Sequence, residues 1–177
     1  WTNTVVPPVS TTTPLDNLNL TKLFYKVSFL IDSVATPDNF NGYELVTFYN
    51  HLFTTANCSF YIEQDSLGVW RVNVSNTLLV NVGSAVITVN ANTWYYFDIE
   101  IDISTGSYNF YQNGSLILSD TGQNFNAAEP IDTAVLGFNY VLGTTAGYNY
   151  YYDDIEIDSV GLCGNSILTS LGLLTLD

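Results

Sequence analysis

The sequence predicts an all-β fold, a jelly-roll sandwich of two antiparallel sheets, on three observations. Short segments rich in β-branched and aromatic residues recur along the chain, bounded by Gly, Asn, Asp or Ser, and no stretch of ten or more residues carries a helical period. Phe97, Ile99, Ile101 and Ile103 alternate with Asp98, Glu100 and Asp102, a period of two that puts one face in a core and the other in water. Asn113-Gly114 is a strong hairpin signal, because a type I′ turn needs positive φ at both central residues.

The elements follow in order. Residues 1–21 read as an extended N-terminal segment interrupted by Pro7, Pro8 and Pro14, with one edge strand at Val5-Val6. The sandwich occupies residues 22–160. Its first long strand covers 23–31, a loop follows at 38–42, and further strands are expected at 43–49, 59–63, 69–74, 78–82 and 85–89. The alternating run 97–103 turns at Ser104-Thr105-Gly106 and returns as 107–112. The Asn113-Gly114 turn then leads into 115–118, completing a three-stranded meander. After a loop at 120–130 come strands 134–138 and 150–160, the second again alternating, with Ile155 and Ile157 between Asp154, Glu156 and Asp158. Residues 161–177 are an apolar C-terminal segment.

Composition narrows the function classes. Apolar residues make up 47% of the 177, enough to fill a core, while charged residues make up only 11%, against roughly 25% in an ordinary soluble domain. Lys22, Lys26 and Arg71 face 17 acidic residues, for a formal net charge of −14. Such a surface repels phosphate backbones and anionic headgroups, which excludes nucleic acid as a partner, and it attracts cations. No apolar run reaches the ~20 residues of a membrane span. The chain has no Met and begins at Trp1, which reads as a processed mature chain. With the sequons at Asn19, Asn57, Asn73 and Asn113, this predicts an extracellular, cell-surface or virion-surface glycoprotein. Cys58 and Cys163 are expected to form a disulfide, closing a loop worth ~4–5 kcal/mol in the chain-entropy model; two buried free thiols are the alternative.

Two stretches carry a family resemblance. Trp94-Tyr95-Tyr96-Phe97-Asp98, followed by Thr105-Gly106-Ser107-Tyr108-Asn109-Phe110-Tyr111-Gln112-Asn113-Gly114, is similar to the central hairpin of concanavalin A-like (laminin-G-like) domains. Asp153-Asp154-Ile155-Glu156-Ile157 resembles the closing strand of that superfamily. The resemblance implies the two-sheet sandwich across roughly 22–160. It leaves function open among lectins, adhesion modules, enzyme appendages and capsid parts.

The same superfamily contains β-glucanases reading Glu-Ile-Asp-x-Glu, so Glu100-Ile101-Asp102-Ile103 raises the question of glycoside hydrolysis. That chemistry needs a second carboxylate on the same strand face. Ser104 and Thr105 stand where it would be, and the expectation is a protein that is not an enzyme. Asp98, Glu100 and Asp102, together with Asp154, Glu156 and Asp158, would form a six-carboxylate surface if their strands were neighbours. Ca2+ is the one cofactor to consider, with Asp153 and Asp154 as its ligands; a solvated outer face is the plainer reading. His51 is read as a loop residue.

Tyr148, Tyr150, Tyr151 and Tyr152 could stack on sugar rings or form a subunit contact. In the tail, Ile167, Leu168, Leu171, Leu173, Leu174 and Leu176 need burial, either in their own sandwich or against a neighbour's sheet edge. Two functions remain. The first is a non-catalytic structural protein that self-assembles with copies of itself through the sandwich and its terminal segments. The alternative is a lectin or adhesion module whose partner is carbohydrate.

Overall fold

The computed structural model describes residues 12–14, 20–32, 41–50, 56–65, 67–78, 80–135 and 150–158. Among them are eleven strands and no helix: β1 (Thr12–Pro14), β2 (Lys22–Ile31), β3 (Asn41–Tyr49), β4 (Ala56–Gln64), β5 (Trp70–Ser75), β6 (Asn81–Val86), β7 (Tyr95–Asp102), β8 (Ser107–Gln112), β9 (Ser115–Asp120), β10 (Thr133–Val135) and β11 (Tyr150–Asp158). They build two antiparallel sheets. One has the order β1-β10-β3-β4-β5-β6 and the other β11-β2-β7-β8-β9, so the all-β sandwich expected from the sequence is the fold observed. No helix among the described residues is long and apolar enough to cross a membrane.

The period-two pattern sets which faces meet. On β7, Tyr95, Phe97, Ile99 and Ile101 are buried, while Tyr96, Asp98, Glu100 and Asp102 point outward. The inner faces are joined by aromatic rings. Phe29, Phe97 and Phe110 line the five-stranded sheet, with centroids 6.3 Å and 5.4 Å apart in sequence. Across the interlayer, Phe60 stacks on Phe110 at 6.4 Å, and Tyr43 meets Phe29 at 5.8 Å. Each such fully buried ring contributes about 1.5–3 kcal/mol through removal from water, and the ring pairs add to this.

Two tyrosine hydroxyls also reach from one sheet to the other. The β3–β4 register shifts between Glu44 and Val46, a bulge that turns both Leu45 and Val46 inward. The carbonyls beside it accept hydroxyls from the opposite sheet, Tyr25 donating to Leu45 O at 3.2 Å and Tyr152 to Glu44 O at 2.6 Å.

Several details depart from the expected elements. The two strands expected at 78–82 and 85–89 are one strand, β6, running through Gly83 and Ser84. The chain ahead of it is a turn in which Asn76 Oδ1 accepts from Leu78 N and Val80 N at 3.0 and 3.2 Å, and Leu78 is left 72% exposed. Part of the lead-in segment belongs to the sandwich, since Thr12–Pro14 pairs with β10 and Leu20 bridges to Ile131. Pro14 fits there because β1 is an edge strand. The strand expected at Val5-Val6, residues 136–138 and 159–160 of two expected strands, and the apolar segment 161–177 lie outside the described residues. Cys58 is a fully buried free thiol on β4, and its expected partner Cys163 lies outside the described residues. Burial pushes the Cys58 thiol well above the ordinary range.

Gly83 is a glycine that the packing requires. A Cβ there would lie 2.0 Å from the Tyr108 hydroxyl, which is buried without a hydrogen-bond partner and is pushed up to about 12 by burial and by Asp120. Gly83→Ala should therefore destabilise by roughly 1–3 kcal/mol as an overpacking substitution. Tyr108→Phe removes an unsatisfied hydroxyl and should be near neutral. The double variant should recover part of the Gly83→Ala loss. Urea denaturation of the four proteins checks this; strict additivity would mean that the two positions do not meet.

Candidate functional site

Of the four tyrosines near β11, Tyr151 and Tyr152 face opposite sides of the strand. Tyr152 faces inward, its ring 5.6 Å from Phe29 and its hydroxyl on Glu44 O. Tyr151 is its outward neighbour and is 48% exposed. Tyr150 is the first residue of the strand, and Tyr148 lies outside the described residues.

What the structure brings beside Tyr151 is a pair of aromatics the sequence reading used only as fold markers. Tyr151 is registered against Leu30 on β2, and Asp153 against Ser28, which in turn faces Tyr96 on β7. Trp94 immediately precedes β7 at the same end, where Asn92 N bonds Ile31 O at 2.7 Å. Alternation sends Tyr95 and Phe97 into the core, so Tyr96 is on the outside with Tyr151; Tyr96 is 46% and Trp94 41% exposed. Three strands at ~4.8 Å spacing put the β11 and β7 aromatics ~10 Å apart, on either side of half-buried Leu30. This end of the five-stranded sheet is the candidate site.

The hairpin turn holds Tyr96 in place. Asn113 and Gly114 have φ of 50° and 77°, as a type I′ turn needs. Asn113 Oδ1 accepts from Tyr96 N at 2.9 Å, and Asn113 N donates to Tyr96 O at 2.8 Å.

The acidic residues are distributed differently from the six-carboxylate surface. β2 lies between β7 and β11, so the two ladders are not neighbours; Lys26 is registered against both Asp98 and Glu156, and Lys22 against Asp102. Partial burial holds the Asp98 carboxyl above its usual range, with Lys26 opposing. Glu100 accepts from Asn109 Nδ2 at 2.6 Å. Asp102 caps its own turn by accepting from the Ser104 hydroxyl and amide and from Thr105 N, and the Ser104 hydroxyl bond leads in keeping its carboxyl below the usual range. The residues that suggested a glucanase are thus bound into hairpin structure. Asp154 sits at a bulge with φ 48°, its carboxylate accepting from Ser28 at 3.2 Å, while Asp153 accepts from Asp154 N at 2.8 Å. Among the described residues no three His, Cys, Asp or Glu side chains are grouped to hold a metal ion.

The sequons also separate. Asn57 and Asn73 have almost no exposed surface. Asn57 Nδ2 donates to Phe125 O and Glu129 O, at 3.1 and 2.7 Å, tying the loop before β10 to β4. Both side chains are enclosed by the fold. Asn113 is exposed, and Asn19 and His51 lie outside the described residues.

On the other sheet, burial pushes the Glu44 carboxyl up to about 7. The folded state therefore binds a proton more readily than the unfolded one. Stability is greatest below the ordinary carboxylate pKa and declines as pH rises from there to about 7. Glu44→Gln should flatten that decline and make the protein more stable than the parent at pH 8, read from thermal melts between pH 4 and 8. An unchanged pH profile would show that Glu44 is solvated.

No family model matches the chain, and no curated protein matches it. Solved structures do, at low identity. The botulinum neurotoxin serotype D binding domain is 15% identical with a TM-score of 0.56, covering 85% of this chain and 37% of its own. The CBM2 module of the evolved Dit of Lactobacillus casei BL23 phage J-1 is 14% identical with a TM-score of 0.59, covering 84% and 66%. The alginate lyase Aly36B is 14% identical with a TM-score of 0.54, covering 80% and 71%. The chain thus spans about a third of the toxin domain and about two thirds of the phage module. At these identities the likeness is one of fold, the jelly-roll sandwich.

Proposed function

We propose that the chain is a non-catalytic carbohydrate-binding module, a lectin-like or adhesion domain of the concanavalin A-like type acting on an extracellular surface. The observation that carries this reading is the exposed aromatic end of the five-stranded sheet, with Trp94, Tyr96 and Tyr151 around Leu30. Flat rings on a rigid strand scaffold present apolar faces to the C–H faces of sugar rings, and their polar edges remain available to hydroxyls. Asp153, exposed in the adjoining row, is a hydrogen-bonding group beside the rings. The names of a toxin binding domain and of a phage module support binding ahead of self-assembly. The assembly reading rests on terminal segments outside the described residues.

Affinity electrophoresis in gels containing cellulose derivatives, mannan, xylan or chitosan tests the proposal. Retardation by at least one polymer is expected. Trp94→Ala and Tyr151→Ala should each weaken it about tenfold, the equivalent of ~1.4 kcal/mol. Retardation untouched by either substitution would remove the aromatic site. An ordered polymer by light scattering, with no retardation in any gel, would return the structural-subunit reading to first place.

A further inference from the structure

Among the three sequons in the described residues, Asn113-Gly114-Ser115 stands apart. Asn57 and Asn73 are buried, whereas Asn113, Gly114 and Ser115 are all exposed at the tip of the β8–β9 hairpin. A Cβ added to Gly114 would meet no atom within 4 Å, so the space around the turn is open.

The two ends of the Asn113 amide are used differently. Its Oδ1 accepts from Tyr96 N at 2.9 Å, while no hydrogen bond of its Nδ2 is found among the described residues. Nδ2 is the atom to which an N-linked saccharide is joined. Joining it leaves the carbonyl an acceptor, so the bond to Tyr96 N and the turn it braces survive the modification.

The register decides where such a saccharide begins. Phe97 pairs with Gln112, and Asn113 follows one position on, opposite Tyr96, with Asn113 N donating to Tyr96 O at 2.8 Å. Asn113 therefore flanks Tyr96 on the side away from β2, and Tyr96 is 46% exposed. Trp94, two positions earlier and 41% exposed, lies at the same end. Nδ2 is one amide's width from the Tyr96 backbone, which puts the first sugar ring within reach of both aromatics.

We propose that Asn113 is a glycosylation site and that its saccharide lies over Tyr96 and Trp94, masking the aromatic end of the five-stranded sheet. The inference rests on the carbohydrate-binding reading of that end and adds its regulation. In the attachment step Nδ2 attacks the anomeric carbon of a saccharide carried on a lipid diphosphate. A C–N bond forms, the C–O bond to the diphosphate breaks with its electron pair leaving on the carrier, and Nδ2 gives up one proton. The rings that receive a free saccharide then face one that is covalently tethered. A short tether holds its ligand at an effective concentration on the order of millimolar, enough to compete with weakly held chains. The unmodified chain binds, and the modified one binds less.

The test compares the full chain with its Ser115→Ala variant, both secreted from yeast. That substitution removes the sequon and leaves the Asn113-Gly114 turn and every ring in place. Peptide mass spectrometry after chymotrypsin digestion should find a saccharide on Asn113 of the parent and none on Asn113 of the variant. In affinity gels containing mannan, xylan, chitosan or cellulose derivatives, Ser115→Ala should show an apparent Kd about tenfold below that of the parent. Adding Trp94→Ala should cancel that gain. An unmodified Asn113 in the secreted parent would overturn the proposal. Equal retardation of parent and variant would overturn the mask and leave the aromatic site standing. No retardation of the variant in any gel would remove the aromatic site and the mask together.

Discussion

The ring layer between the two sheets is the constraint from which the rest of the architecture follows. Phe29, Phe97 and Phe110 on one sheet meet Phe60 and Tyr43 on the other, and Tyr108 and Phe125 extend the layer toward the loop before β10. With only 11% charged residues, the chain has few ion pairs to organise it; among the described residues Arg71 to Asp65 is a partly exposed pair at 3.6 Å, of small stabilising value. Apolar burial must therefore hold the sheets together. Once these rings face inward, the period of two fixes what every neighbouring residue presents to solvent, including Tyr96, Tyr151 and the acidic rows.

The β3 bulge shows how a backbone irregularity serves that layer. An unbroken strand would send Leu45 and Val46 to opposite faces. The extra residue lets both enter the core, and it frees the carbonyls of Glu44 and Leu45 for hydroxyls from the facing sheet. It also leaves the Glu44 side chain on the outer surface, desolvated beside Tyr61.

Local patterns were legible in the sequence and non-local ones were not. The strand 107–112 and the Asn113-Gly114 turn could be read residue by residue, because alternation and turn chemistry act within a few positions. The same reading split β6 at Gly83-Ser84, where the glycine makes room for Tyr108 of another sheet and marks no end of strand. The six-carboxylate surface failed because sheet order is not written locally: β2 enters between β7 and β11 and carries Lys22 and Lys26 with it. Parity could have separated Tyr151 from Tyr152 and joined Tyr96 to the former. It could not have shown that Asn57 is consumed by a loop more than sixty residues away.

The two outer faces differ in a way that bears on ligand chemistry. The five-stranded sheet offers rings at one end and lysine-flanked carboxylates along the rest; on the six-stranded sheet the Thr47, Ser59 and Ser75 hydroxyls and the Asn73 amide are buried, with Glu44 and Glu63 in the neighbouring rows. Neither presents the clustered cations that phosphate or sulfate recognition needs, and Arg71 is engaged with Asp65. An uncharged polyhydroxylated ligand avoids the desolvation cost of pairing with isolated charges, and its C–H faces suit rings while its O–H groups suit amides and carboxylates. Binding at the aromatic end would then vary little with salt, because no counterions are released when the partners meet through rings and neutral hydrogen bonds. Strong weakening by salt would instead point to a cationic partner drawn to the net charge of −14.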